Sequence, residues 1–252
     1  MPEGDTIHRL AARLESALGG REIEAAAPDP RSPLHRRADE LTGRTLERAE
    51  ARGKHLLLHL SGDVALHGHL GMNGRWRIRS DGSRLFGRPW LLLTSGRTAA
   101  GQFGGKLLRA TSEFKLRADP TLTALGPDPL APGFDPAVAA ARLRRSGAQL
   151  PVAEALLDQR IIAGIGNAIA NGACFAARVS PWRPVAELDD GELERLVAES
   201  RRIMRAGFER GRRPPSIYRA ERRGCPRCGG PVSVRGQGDA NRAAYWCARC
   251  QR

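Results

Sequence analysis

The chain has 252 residues, and its 41 lysines and arginines outnumber its 27 aspartates and glutamates to give a formal net charge of +14. This length holds two domains with real cores, and the basic surplus points to a polyanionic partner, nucleic acid first, although an Arg-rich composition alone also raises it. No apolar run is long enough to cross a bilayer and the start lacks a basic-then-apolar signal, so we expect a cytoplasmic protein with no membrane contact.

Met1-Pro2-Glu3-Gly4 opens the chain. Removal of Met1 would leave a secondary amine at Pro2, partly neutral near physiological pH because N-terminal amines titrate at about pH 8. Glu3 beside it could supply or remove a proton while the amine attacks a carbonyl or sugar carbon. Met-Pro-Glu is equally an ordinary chain start, and the four residues alone favour that reading. Asp5 or Thr6 is expected to cap a helix with Ile7, Leu10, Ala11, Leu14 and Leu18 on one face, ended by Gly19-Gly20. The positive end of its dipole would keep the amine neutral.

From about Glu22 to Arg117, short apolar stretches (His55 to Leu58, Val64 to Leu66, Leu91 to Leu93) alternate with Gly-rich turns, and Trp76-Arg77-Ile78-Arg79 alternates strictly. This predicts a β-sandwich or barrel. Lys54 enters one strand after Gly53, where a solvated edge charge is the commoner role. Met72, in Leu70-Gly71-Met72-Asn73-Gly74, could serve as a wedge or pack on a neighbouring strand.

Pro120, Pro127, Pro129 and Pro132 mark an interdomain hinge. Helices are predicted to open at Asp135-Pro136, at Pro151, and at Asp189 or Asp190. Gly164-Ile165-Gly166-Asn167 lies between helical patterns, where paired glycines permit a sharp turn and could bring backbone N–H groups close to a phosphate, although such pairs between helices are more often the turn alone. The last segment, too small for its own core, carries Cys225, Cys228, Cys247 and Cys250, spaced as a closed four-thiolate structural zinc site. Arg222, Arg223, Arg227, Arg235, Arg242 and Arg249 crowd it, and a turn could push Arg242 into a groove.

Taken in order along the chain, Pro2-Glu3-Gly4, Gly53-Lys54-His55, His69-Leu70-Gly71-Met72, Gly164-Ile165-Gly166-Asn167 and the four cysteines resemble the formamidopyrimidine-DNA glycosylase / endonuclease VIII family, most of all its bacterial endonuclease VIII branch. The resemblance implies an α+β multidomain protein. Its parts would be an N-terminal β-sandwich catalytic domain with an N-terminal helix (1–118), a hinge linker (119–134), a helix-two-turn-helix domain (135–219) and a zinc ribbon (220–252).

It also implies a bifunctional DNA glycosylase/AP lyase of base excision repair. Pro2 would be the nucleophile, Glu3 the acid/base, and Lys54 a phosphate and sugar contact that assists proton transfer. Asn167 and Arg242 would clamp phosphates, His69 and Tyr218 would touch the DNA backbone, and Met72 would fill the void left by an extruded base. One structural zinc ion, double-stranded DNA with a damaged base or abasic site as partner, and a nucleoid-associated monomer complete the expectation.

Gly172 stands where relatives usually carry a glutamate, and no Arg-x-Phe pattern of the oxidised-purine branch is found around Arg109 to Arg117. Oxidised pyrimidines are therefore the expected substrates. The same chemistry on oxidised purines, and a non-catalytic binder of damaged DNA, are the alternatives.

Overall fold

A computed structural model describes residues 2–252; the expected loss of Met1 lies outside the described residues. The chain forms two compact units, one of Pro2 with residues 6–123 and one of Glu3–Asp5 with Ala124–Arg252. No helix among the described residues is long and apolar enough to cross a membrane.

The first helix, α1 (Gly4–Leu18), starts ahead of the expected cap, and Asp5 lies in its first turn. The reason is a long-range contact: the Gly4 N–H already has an acceptor, the Gly164 carbonyl at 2.9 Å, so no side-chain cap is needed there. Ile7, Leu10, Ala11, Leu14 and Leu18 form the buried face, as the spacing predicts.

Eight strands follow: β1 (Glu22–Ala26), β2 (Arg44–Arg52), β3 (His55–Leu60), β4 (Val64–His69), β5 (Arg75–Arg79), β6 (Leu91–Ser95), β7 (Thr98–Phe103) and β8 (Leu107–Ser112). Their order is β5-β7-β6-β1-β2-β3-β4-β8, every neighbour antiparallel. Strand β1 belongs to both layers: Glu22 and Ile23 pair with β2, whereas Glu24, Ala25 and Ala26 pair with β6. The sheet thus folds over at β1 into a sandwich, and Ile23, Leu46, Leu58, Leu60, Leu91 and Leu93 meet α1 in one core.

All of β3 is buried, because Leu56, Leu58 and Leu60 face the core while His55, Leu57 and His59 face the other way. The alternation read in β5 is real, with Trp76 and Ile78 half-buried and Arg75, Arg77 and Arg79 exposed on an edge strand. Two short helices, α2 (Glu113–Arg117) and α3 (Pro120–Thr123), close the unit. The stretch read as a hinge from 119 therefore begins with a helical turn that belongs to the first unit.

In the second unit α4 (Pro136–Arg144) is capped by Asp135, α5 (Val152–Leu157) follows Pro151, and α6 (Asn167–Ala177) follows Gly166. Helix α7 (Asp190–Arg210) has Asp189 as its cap, in a reciprocal capping box with Glu192. Their apolar faces, including Leu156, Ile169, Leu196 and Met204, make a second core with Ile165 from the turn before α6. Gly172 lies where α6 packs against α7, and a Cβ there would stand 3.1 Å from Ile203 Cδ1, so a larger residue requires that side chain to shift by a few tenths of an ångström. Cys174 lies in this core, where burial pushes its thiol up to about 12 and leaves it unreactive. A hairpin of β9 (Ser233–Gln237) and β10 (Arg242–Trp246) ends the chain.

Candidate active site and metal centre

Glu3 is 1% exposed, and its carboxylate sits on the start of α6. It accepts from the backbone N–H of Ala168 at 2.9 Å and of Ile169 at 3.2 Å, and Arg213 stands 3.3 Å away. An anion there meets both the first N–H groups of the helix, which lack intrahelical partners, and the positive end of its dipole. Of the two roles open to the glycine turn, the amides of Ala168 and Ile169 are taken by the protein's own carboxylate and not offered to a phosphate. The two glycines have different reasons. Gly164 has φ +85, which a side chain would strain. Gly166 has an ordinary backbone, but a Cβ on it would collide with the Glu3 carboxyl.

Arg213 had no sequence signal, because its partners lie about two hundred residues away. Its guanidinium forks onto Asp5 with two bonds of 2.6 Å. Although burial opposes the charge, the Asp5 bonds and the charges of Glu3 and Asp5 hold the guanidinium firmly protonated.

Asn167 and Arg242 are brought close together. The Asn167 amide donates to the Ala243 carbonyl at 2.9 Å, one residue beyond Arg242, which is exposed and opens β10 after Asn241 at φ +46. Asn171, fully buried one turn along α6, was missed; it accepts from the Tyr245 N–H at 2.5 Å and donates to the Asn167 carbonyl at 2.7 Å. Two asparagines four apart on an otherwise apolar helix were the available clue. Tyr218 is half-buried, its ring meeting that of Tyr245 edge-on at 5.3 Å.

In the first unit, Lys54 directly precedes β3, and the β3–β4 register sets its neighbour His55 opposite His69. The His69 ring accepts the Gly71 N–H at 3.0 Å and stands edge-on to His55 at 4.9 Å. Burial, then the charges of Lys106 and Lys54, hold His69 below its usual value. Met72 is 75% exposed at the tip of the β4–β5 turn, whose base is held by buried Leu70, and so does not pack on a neighbouring strand.

Behind His55 runs a chain of polar contacts unforeseen in the sequence. Arg109, paired with Asp119, donates to His67 Nδ1 at 3.1 Å, and His67 Nε2 lies 2.8 Å from His55 Nδ1. A guanidinium only donates, so His67 carries its proton on Nε2 and passes it toward His55. Burial pushes His55 down to about 3 and His67 down to about 4, helped by His69 and His67 at the first and by Arg109 at the second. Unfolded histidines titrate at about 6.5, so below that pH the unfolded chain takes up protons that the folded one refuses, and stability falls toward pH 4. His59, raised by its bond to Glu50 and then by Glu113, works in the opposite sense. His67→Gln is expected to flatten the decline in urea midpoint between about pH 6.5 and pH 5; a midpoint curve parallel to wild type would refute this.

The four Sγ atoms of Cys225, Cys228, Cys247 and Cys250 lie within 4.8 Å of one another. The pairs Cys225–Cys250 and Cys228–Cys247 are 3.8 and 3.7 Å apart, and Phe175 and Ile217 back the cluster. They form a candidate metal site of four soft ligands, well shaped for a tetrahedral ion.

Residues 1–102 match the Formamidopyrimidine-DNA glycosylase N-terminal domain, and residues 125–217 match the Formamidopyrimidine-DNA glycosylase H2TH domain. The chain belongs to the formamidopyrimidine-DNA glycosylase family. Within this glycosylase family it is 38% identical to the probable endonuclease 8 2 of Streptomyces coelicolor, across 100% of this chain and 94% of that protein. It is 34% identical to the DNA-(apurinic or apyrimidinic site) lyase Nei2 of Mycolicibacterium smegmatis, across 100% and 99% of the two chains. Among solved structures, the MutM (Fpg) protein of Thermus thermophilus superposes with a TM-score of 0.80 at 29% identity, covering 99% of this chain and 98% of that one. A Lactococcus lactis Fpg mutant in complex with Fapy-dG-containing DNA reaches 0.84 at 22% identity over 100% of both chains, a likeness of fold.

Proposed function

We propose that this chain, a DNA glycosylase and AP lyase of base excision repair, takes its nucleophile from Pro2 once Met1 is gone, and that oxidised pyrimidines and abasic sites in duplex DNA are its substrates. The observation that carries the reading is the buried Glu3 carboxylate, locked onto the Ala168 and Ile169 N–H groups one residue from Pro2. A carboxylate so held has a set direction, which proton transfer requires.

In the reaction the Pro2 nitrogen attacks C1′, and the bond from C1′ to the base breaks. The proton that the amine loses passes to the departing base, with Glu3 as the group placed to relay it. The C1′–O4′ bond of the sugar then opens, O4′ taking a proton, and the C1′–N Schiff base that results acidifies the C2′ proton. Its removal expels the 3′ phosphate by β-elimination, and a further proton loss expels the 5′ phosphate by δ-elimination. Lys54 and His69 contact the sugar-phosphate backbone, Asn167 and Arg242 clamp phosphates, and Tyr218 borders that clamp. The preference for pyrimidines is supported by Arg109, which is committed to Asp119 and His67 within β8 and so is not a loop wedge.

For the metal we propose one structural zinc ion. A tetrahedral site with Zn–S bonds of about 2.3 Å has sulfur–sulfur edges of about 3.8 Å, and the two cysteine contacts of 3.8 and 3.7 Å agree with that. When bound, zinc would tie both ends of the finger together, and the chemistry on DNA needs nothing from it.

Borohydride trapping on abasic DNA tests the whole reading: Met1-free protein should form a covalent adduct through Pro2, and its absence would end the proposal. Met72, exposed at 75%, should act as a wedge for the base-extruded duplex. Extrusion costs a few kcal/mol, so Met72→Ala is expected to lower kcat/KM on duplex by about tenfold, about 1.4 kcal/mol, and to lose less on single strands. Equal losses on both would remove the wedge role.

A further inference from the structure

A cleft of about 630 Å³ opens in the first unit beside the Met72 turn, lined by Asn73, Arg75, Arg77, Phe86, Arg88 and Phe103 among others. Arg31 also borders it, but Asp29 takes that guanidinium in a bidentate pair, with bonds of 3.0 and 2.8 Å, and is itself held down to about 2 by that bond. Three arginines remain, on a surface where Asp29 is the sole lining carboxylate. Arg75 and Arg77 lie on the outer face of edge strand β5, two residues apart, so their Cα atoms are about 7 Å apart, comparable with the step between successive phosphates along a strand. Their guanidinium groups stand over the Phe103 ring at 5.5 and 5.0 Å. Arg77 also donates to the Phe86 carbonyl at 3.3 Å, which fastens the loop carrying that ring. Phe86 is 84% exposed. A large aromatic ring left in water beside a row of cations has little to gain from the folded chain alone. It gains from a flat partner that brings negative charge, which describes a nucleotide.

We propose that this cleft is a second DNA-contact site, taking a nucleotide next to the wedge rather than the extruded one, with its phosphates on Arg75, Arg77 and Arg88 and its base against Phe86. The proposal rests on the DNA-repair reading, and it adds a contact that none of the catalytic or clamp residues supplies. Asn73 joins the wedge residue to the cleft wall, so DNA with Met72 inserted has its backbone within reach of Arg75. The site reads phosphate and any base face, hence it raises affinity without selecting sequence.

The test measures DNA affinity against salt for wild type, Arg75→Ala/Arg88→Ala and Phe86→Ala, all changes at exposed positions. Each phosphate contact contributes about 0.9 to the log–log slope. The double variant should therefore have a slope shallower by about 2 on a long duplex with a central abasic analogue. The difference should shrink as the duplex arms are shortened. Phe86→Ala should keep the slope, lose affinity, and abolish quenching of 2-aminopurine placed beside the lesion. An unchanged slope in the double variant would overturn the proposal and leave the cleft to an acidic protein segment. Unaltered 2-aminopurine fluorescence in Phe86→Ala would overturn the stacking part. Because slopes can be read on undamaged duplex too, the result stands apart from wild-type trapping, which reports on the catalytic reading alone.

Discussion

Glu3→Gln, prepared without Met1, is expected to cut excision of an oxidised base by about 10²–10⁴-fold, the usual contribution of a placed acid–base group. Adduct formation on a pre-formed abasic site should fall much less, since no base has to leave. The split is the informative part. Loss of the buried carboxylate also disturbs the start of α6, because a glutamine Nε has only protons to offer where Ala168 and Ile169 both donate. A lowered melting temperature is therefore expected as well, for a penalty of about 1–3 kcal/mol. Damage to folding alone would depress both reactions equally. Equal losses, or unimpaired excision, would remove Glu3 from the chemistry.

The second large effect concerns the metal. Structural zinc contributes about 10 kcal/mol or more to small four-thiolate units, and the finger has only a small apolar cluster around Phe175, Ile217 and Val232 behind it. Chelation, or Cys247→Ser, should release one ion per chain and expose the amides of 220–252 to hydrogen exchange. DNA affinity should drop about ten- to a hundred-fold, since a charged hydrogen bond such as Arg242 would give a phosphate is worth about 1.5–3 kcal/mol. Retained binding and protection after the metal has gone would contradict both the structural role and the placement of Arg242.

Much of this was legible because the signals were local. Helix α1 announced itself by spacing, the start of α7 by Asp189 three residues before Glu192, and the thiolate cluster by two short cysteine pairs. The motif residues fell into two groups, with Lys54, His69 and Met72 along β3 and β4, and Glu3, Asn167 and Arg242 around α6 and β10. What escaped was long-range. The fork from Arg213 to Asp5, the Asn171 acceptor for β10 and the Arg109–His67–His55 chain each join residues far apart in sequence, and each is a polar contact with no periodicity to betray it. The split pairing of β1 was equally invisible, for five residues carry no sign that they serve two sheets. The glycines near 164 form the turn that their spacing suggests, and the anion on the amides beyond them is Glu3.

That internal anion carries a consequence for how this lobe can hold a polyanion. Helix starts commonly grip phosphate through bare amides, which need no side chain and tolerate substitution around them. Here the cradle is already filled from within, by an acidic group lying next to the proposed nucleophile. On the proposed reading, recognition in the lobe falls to carboxamide and guanidinium arms on the hairpin and the helix flank, whose reach depends on the hairpin keeping its shape. Selection on this region should act on side chains that a single codon change can remove, where a phosphate-gripping loop would have been guarded by its backbone.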